Sequence, residues 1–144
     1  MRGYFDTTVL VAASVADHPH YHQAAKALEA VRTRKIEAYI SGHGLAEFYA
    51  VLTRTPFIPP IQPSEAWHLL TDNVLPYFQV VTLNGKDYEE TIRRCAQQGW
   101  SGGRIYDALH LRCAHKAGCT QIYTLNVRHF QQLAPELADR IITP

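Results

Sequence analysis

Apolar and polar positions along the chain follow two rhythms, one of period two and one of period 3.6, and the changes between them mark out the elements. Residues 3–5 (Gly-Tyr-Phe) read as a short buried strand. Asp6, Thr7 and Thr8 then supply cap-type side chains ahead of the apolar run 9–15, so a strand feeds directly into a helix. Within 19–35, Tyr21, Ala24, Ala25, Leu28 and Val31 recur at helical spacing and predict a second helix, after which 36–40 reads as a strand. Leu45, Phe48, Tyr49 and Leu52 make an i, i+3, i+4, i+7 stripe across 42–54, a third helix that Pro56, Pro59, Pro60 and Pro63 bring to an end. Further helices are predicted over 63–75 and 86–98, with a strand at 77–83 between them. Gly99 to Gly103 form a breaker before a helix over 104–116, which Gly118 stops. A strand at 121–125, a short helix around 128–133 and a last strand at Ile141 and Ile142 complete the series.

This alternation predicts an α/β fold in which a mostly parallel sheet carries helices on both faces, and such sheets hold their sites at the carboxyl ends of the strands. There is no internal repeat, linker or low-complexity segment, and 144 residues suffice for one core but not for two ordinary domains. A single domain over 1–144 is expected.

Composition changes the picture only by exclusion. A formal net charge of +1 is far from the basic balance that would by itself argue for nucleic acid, so any affinity for phosphate must come from local patches or bound cations. The three cysteines, Cys95, Cys113 and Cys119, form no CxxC pair, and no apolar run approaches the roughly 20 residues that cross a bilayer. A cytoplasmic protein with free thiols and no membrane role is expected.

Three of the thirteen carboxylates stand in the wrong company. Asp6 lies between Tyr4-Phe5 and Val9-Leu10, Glu47 within Leu45-Ala46 and Phe48-Tyr49, and Asp107 within Ile105-Tyr106 and Ala108-Leu109. An ionised carboxylate withdrawn from water is costly unless it is paired, hydrogen-bonded or bound to a metal. Each has a plain structural alternative: Asp6 as a helix cap, Glu47 paired with Arg54, Asp107 paired with Arg104. Convergence explains all three together. Mutual repulsion would raise their pKa values, a divalent cation would turn that repulsion into coordination, and hard oxygen ligands favour Mg²⁺ or Mn²⁺ over Zn²⁺.

These segments resemble the motifs of the PIN-domain family over nearly the whole chain. Tyr4-Phe5-Asp6-Thr7-Thr8 is similar to the family's opening strand with its first metal-binding acid, and Leu45-Ala46-Glu47-Phe48 to its second motif. Gly103-Arg104-Ile105-Tyr106-Asp107-Ala108-Leu109 is similar to the third. Tyr123-Thr124-Leu125-Asn126-Val127-Arg128-His129-Phe130 matches the fourth but carries Asn126, and then His129, where many members have acids. The length and the Gly-Gly-Arg-Ile-Tyr-Asp segment resemble VapC-type toxins.

The resemblance implies a three-layer α/β/α fold with a mostly parallel sheet of about four to five strands. It implies a metal-dependent endoribonuclease in which Asp6, Glu47 and Asp107 hold one or two Mg²⁺ or Mn²⁺ ions. Asn126 would position water or phosphate, with Thr7 and Thr124 as supporting donors. As partners it implies an RNA substrate, an antitoxin encoded alongside and a homodimer. A binding-only module on the same scaffold and a housekeeping nuclease without an antitoxin are the competing readings. Arg104, Arg112 and Arg128 are sequence candidates for phosphate contacts, and Tyr106 or Trp100 for stacking an unpaired base.

The remaining signals are weaker. His18, His20 and His22 alternate around a helix start, where surface histidines are common, and His43 with Glu47 has zinc-type spacing without further ligands.

Overall fold

The computed structural model describes all 144 residues and carries five strands, seven α-helices and one 3-10 turn. In chain order these are β1 (Arg2–Phe5), α1 (Thr7–Ser14), α2 (Tyr21–Arg32), β2 (Glu37–Ser41), α3 (Gly42–Arg54), α4 (Pro63–Asn73), β3 (Phe78–Val81), α5 (Gly85–Gln98), α6 (Arg104–Lys116), β4 (Gln121–Tyr123), α7 (Val127–Leu133), the 3-10 turn (Pro135–Arg140) and β5 (Ile141–Ile142). The strands pair in the order β3-β2-β1-β4-β5, and every pairing is parallel. This is the three-layer α/β/α arrangement, at the upper end of the expected strand number.

Period-two alternation in the strands divides the core into two layers. Phe5, Ala38, Ile40, Phe78 and Tyr123 face one side of the sheet and pack with α1, α2 and α3, whereas Tyr4, Tyr39, Ile122 and Ile141 face the other and pack with α6 and α7. Gly3 sits where strands crowd: a Cβ there would approach the Tyr123 ring to 2.8 Å and the Ile36 side chain to 3.0 Å.

Several boundaries differ from the sequence pattern. β3 is confined to Phe78–Val81, and α4 ends at Asn73 because Val74 and Leu75 both donate backbone hydrogen bonds to Leu70 O as the chain turns. The 3-10 turn has no counterpart in the periodicity, since six residues around Pro135 are too few to display one.

The order of strands positions the site. From β1 the chain first moves outward on one side through β2 and β3, then returns to add β4 and β5 on the other. The reversal leaves a crevice between the carboxyl ends of β1 and β4, where open α/β sheets bind ligands. Asp6 follows β1 and Thr124 follows β4.

Candidate metal centre

Asp6 occupies the N-cap position of α1 yet makes no capping bond with its side chain. Its Oδ2 instead accepts hydrogen bonds from the hydroxyls of Thr8 and Thr124, both at 2.8 Å. The second of these spans the crevice between β1 and β4 and fixes the carboxylate, which is 4% exposed, against rotation. Thr124 Oγ1 in turn accepts from the backbone N–H of Asn126 at 3.0 Å. One hydroxyl therefore ties the first acid to the loop that starts α7. A helix cap alone is not the role of Asp6.

Glu47 projects from α3 toward the same crevice. It pairs with His43 (Nε2 to Oε1, 2.6 Å) and His110 (Nε2 to Oε1, 3.1 Å), not with Arg54. Burial pushes its carboxyl up, but the His110 hydrogen bond and the charges of His110 and His43 outweigh burial and hold it below the usual carboxylate range. Thr7 Oγ1 donates to the backbone carbonyl of Gly44 at 3.3 Å, so it steadies the start of α3, which carries Glu47.

Asp107, in the first turn of α6, is half-buried, and Arg104 turns away from it to donate to Gln132. Its carboxyl is raised, first by burial and then by the negative charge of Asp6, against opposing pulls from His110 and His129, with Glu47 adding a smaller push upward. The three acids thus lie close enough to feel one another.

His110 stands three residues beyond Asp107 on the same helix face and carries no sequence pattern of its own. It is 2% exposed. Its Nδ1 bonds the hydroxyl of fully buried Tyr4 at 2.6 Å, while Nε2 faces Glu47 and lies 3.7 Å from Asp6 Oδ1. Burial pulls the imidazolium down, yet Glu47, Asp6 and Asp107 together outweigh it and raise its pKa. Ligand-type atoms of Asp6, Glu47 and His110 all lie within 4.8 Å of one another. Two carboxylates and an imidazole thus converge on one point, a donor set that suits a divalent cation, and Asp107 stands outside that trio but within reach of its charge.

Other sequence candidates lie apart from this cluster. Asn126 stands exposed at the start of α7 with no side-chain capping bond, joined to the acids only through Thr124. Arg112 is committed elsewhere, donating to Asp87 Oδ1 through Nε (3.2 Å) and Nη2 (2.8 Å) and to Glu90. Trp100 lines a separate cavity of about 330 Å³ between α5, α6 and the 3-10 turn, in which none of the three acids takes part. Arg128 and Tyr106 are exposed, and the Tyr106 ring lies parallel to His43 with centroids 5.3 Å apart.

A family model described as PIN domain matches residues 3–135. The chain belongs to the PIN-domain family. Within that family it is 38% identical over 104 residues to Ribonuclease VapC27 of Mycobacterium tuberculosis, an alignment covering 72% of this chain and 70% of the relative. It is therefore a VapC-type PIN protein. Among solved structures it is similar to Mycobacterium tuberculosis VapC20, described as a sarcin-ricin loop cleaving toxin, with a TM-score of 0.71 and 15% identity over 92% of this chain and 95% of that one. It is also similar to VapBC2 from Rickettsia felis, solved with a DNA fragment from its promoter, with a TM-score of 0.69 and 20% identity over 99% and 98% of the two chains. Both establish the PIN fold at low sequence identity. No helix of this PIN domain is long and apolar enough to cross a membrane.

Proposed function

We propose that this PIN domain is a metal-dependent endoribonuclease of the VapC type, the toxin of a toxin-antitoxin pair, and that Asp6, Glu47 and Asp107 hold its Mg²⁺ or Mn²⁺. The observation that carries this reading is that Asp6 after β1 and Glu47 of α3 meet with His110 at the crevice between β1 and β4, while Asp107 of α6, raised by burial, also feels their charge. When bound there, a divalent cation supplies Lewis acidity toward a phosphodiester oxygen and makes a water more acidic.

The chain's own residues provide the geometry. Thr8 and Thr124 keep the Asp6 carboxylate aimed into the crevice, and His110, held by Tyr4, sets the position of Glu47. Asn126, exposed at the mouth and anchored through Thr124, offers a neutral amide to a water or phosphate oxygen, so it adds no charge to the site. Arg128 and His129, both exposed beside it, are placed to meet the RNA backbone.

An antitoxin protein and a second copy of the chain are the proposed partners, and the cytoplasm the proposed compartment, in keeping with three free cysteines. The test is cleavage of RNA by the purified protein. Cutting that requires Mg²⁺ or Mn²⁺, stops with a chelator and is lost in both Asp6→Asn and Asp107→Asn supports the proposal. RNA that is bound but never cut under any of these metals would replace it with a binding-only role.

A further inference from the structure

Beside the acids lies a second cavity of about 210 Å³, open at the carboxyl ends of β2 and β3. Its walls include Val81 at the end of β3, Leu83 just beyond it and Leu109 from α6, and Thr82 and Tyr88 stand at its exposed rim. Two side chains, His43 and His110, belong both to this cavity and to the ion-pair cluster around Glu47, at 2.6 and 3.1 Å from its Oε1. The cavity is therefore one side chain away from the metal centre. Tyr106 stacks on His43 with an interplanar angle of 6°, which holds the shared imidazole upright as a wall.

The chemistry of the lining decides what fits. No Lys, Arg, Asp or Glu lines the cavity, and its two imidazoles, His43 and His110, are already paired with Glu47, so neither a phosphate nor an amine finds an unpaired counter-charge there. Apolar side chains inside, with hydroxyl and imidazole groups at the edges, match a flat ring that is apolar on its faces and polar around its rim. A base stacked in a duplex cannot enter, whereas an unpaired base flanking the phosphate at the acids can.

Resting on the nuclease reading above, we propose that this cavity, walled from the acids by His43 and His110, is a subsite for one nucleobase next to the scissile phosphate. The test uses short fluorescein-labelled single-stranded RNAs in which one nucleotide at a time is made abasic. They are titrated by anisotropy with the Asp107→Asn protein, which prevents turnover. One abasic position is expected to weaken binding about tenfold, the scale of one base stacked on protein. Adding Thr82→Trp, which fills the cavity from its exposed rim, or Tyr88→Ala, which removes part of that rim, is expected to abolish the difference between intact and abasic RNA. Circular dichroism verifies that these variants are folded.

Equal binding of every abasic RNA, absence of RNA binding, or a tenfold difference that persists in both folded variants would overturn the proposal. Failure of the wild-type protein to cut intact RNA with Mg²⁺ or Mn²⁺ would instead count against the nuclease reading, and base-dependent binding would still be read independently of it.

Discussion

At Asp6 a carboxylate withdrawn from water keeps its place because two threonine hydroxyls, one from its own helix and one from across the sheet, donate to the same oxygen. Replacing Thr124 by Val removes the cross-sheet donor and leaves the Asn126 N–H without its acceptor, while the volume of the side chain is kept. Thr124→Val should therefore weaken Mn²⁺ binding and Mn²⁺-dependent cleavage by about 10- to 100-fold, the usual loss when a ligand's supporting partner is removed. A metal titration of the variant that matches the wild type would contradict this role. Tyr4 acts one step further back. Tyr4→Phe strips the buried Nδ1 of His110 of its partner and should cost about 1–3 kcal/mol in urea unfolding. The three acids were legible because each interrupts an apolar stretch; His110 was not, because one histidine on a helix carries no pattern of its own. Its spacing of three from Asp107 is the signal that could have pointed to it.

The elements that carry these residues are held by a second charged cluster away from the site. Asp87 in the first turn of α5 closes a capping box with Asn84 and accepts from Arg112 and Lys116 of α6, at 2.8 Å from the nearest nitrogen of each. α6 carries Asp107 and His110, so this clamp bears on where they stand. The Lys116 contact, followed by the Asn84 backbone and Arg112, holds the Asp87 carboxyl well below its ordinary 3.8. A depressed folded pKa means that the contribution to stability is complete above pH 3.8 and is lost as pH falls below it. Asp87→Asn should lower the melting temperature at neutral pH and flatten its fall between about pH 4 and pH 2. Parallel acid-unfolding curves for variant and wild type would disprove the clamp. Long amphipathic helices such as α3 and α6 follow directly from their stripes, with the same limits in sequence and structure. β3 is shorter than its apolar run, because periodicity cannot say where an edge strand stops pairing. Asp87 gave no sign in sequence, since its partners are 25 and 29 residues away and its neighbours are polar.

Across the whole molecule, the two apolar layers share every strand of one sheet, so neither can unfold while the other persists. Urea unfolding followed by fluorescence and by circular dichroism should give a single coincident transition, as expected of one cooperative domain. Two separated transitions would argue for independent units. The parallel sheet was legible from strand and helix alternation, but the strand order that opens the crevice between β1 and β4 was not, because it depends on contacts between distant segments. That crevice is the basis of the central claim, that acids from three elements make one divalent-metal site. Mn²⁺ binding to the purified protein, read by electron paramagnetic resonance, tests it most directly. The account predicts bound Mn²⁺ in the wild type and a loss of about tenfold or more in affinity in each of Asp6→Asn, Glu47→Gln and Asp107→Asn. Mn²⁺ held equally by all three variants, or not held by the wild type at all, would contradict it.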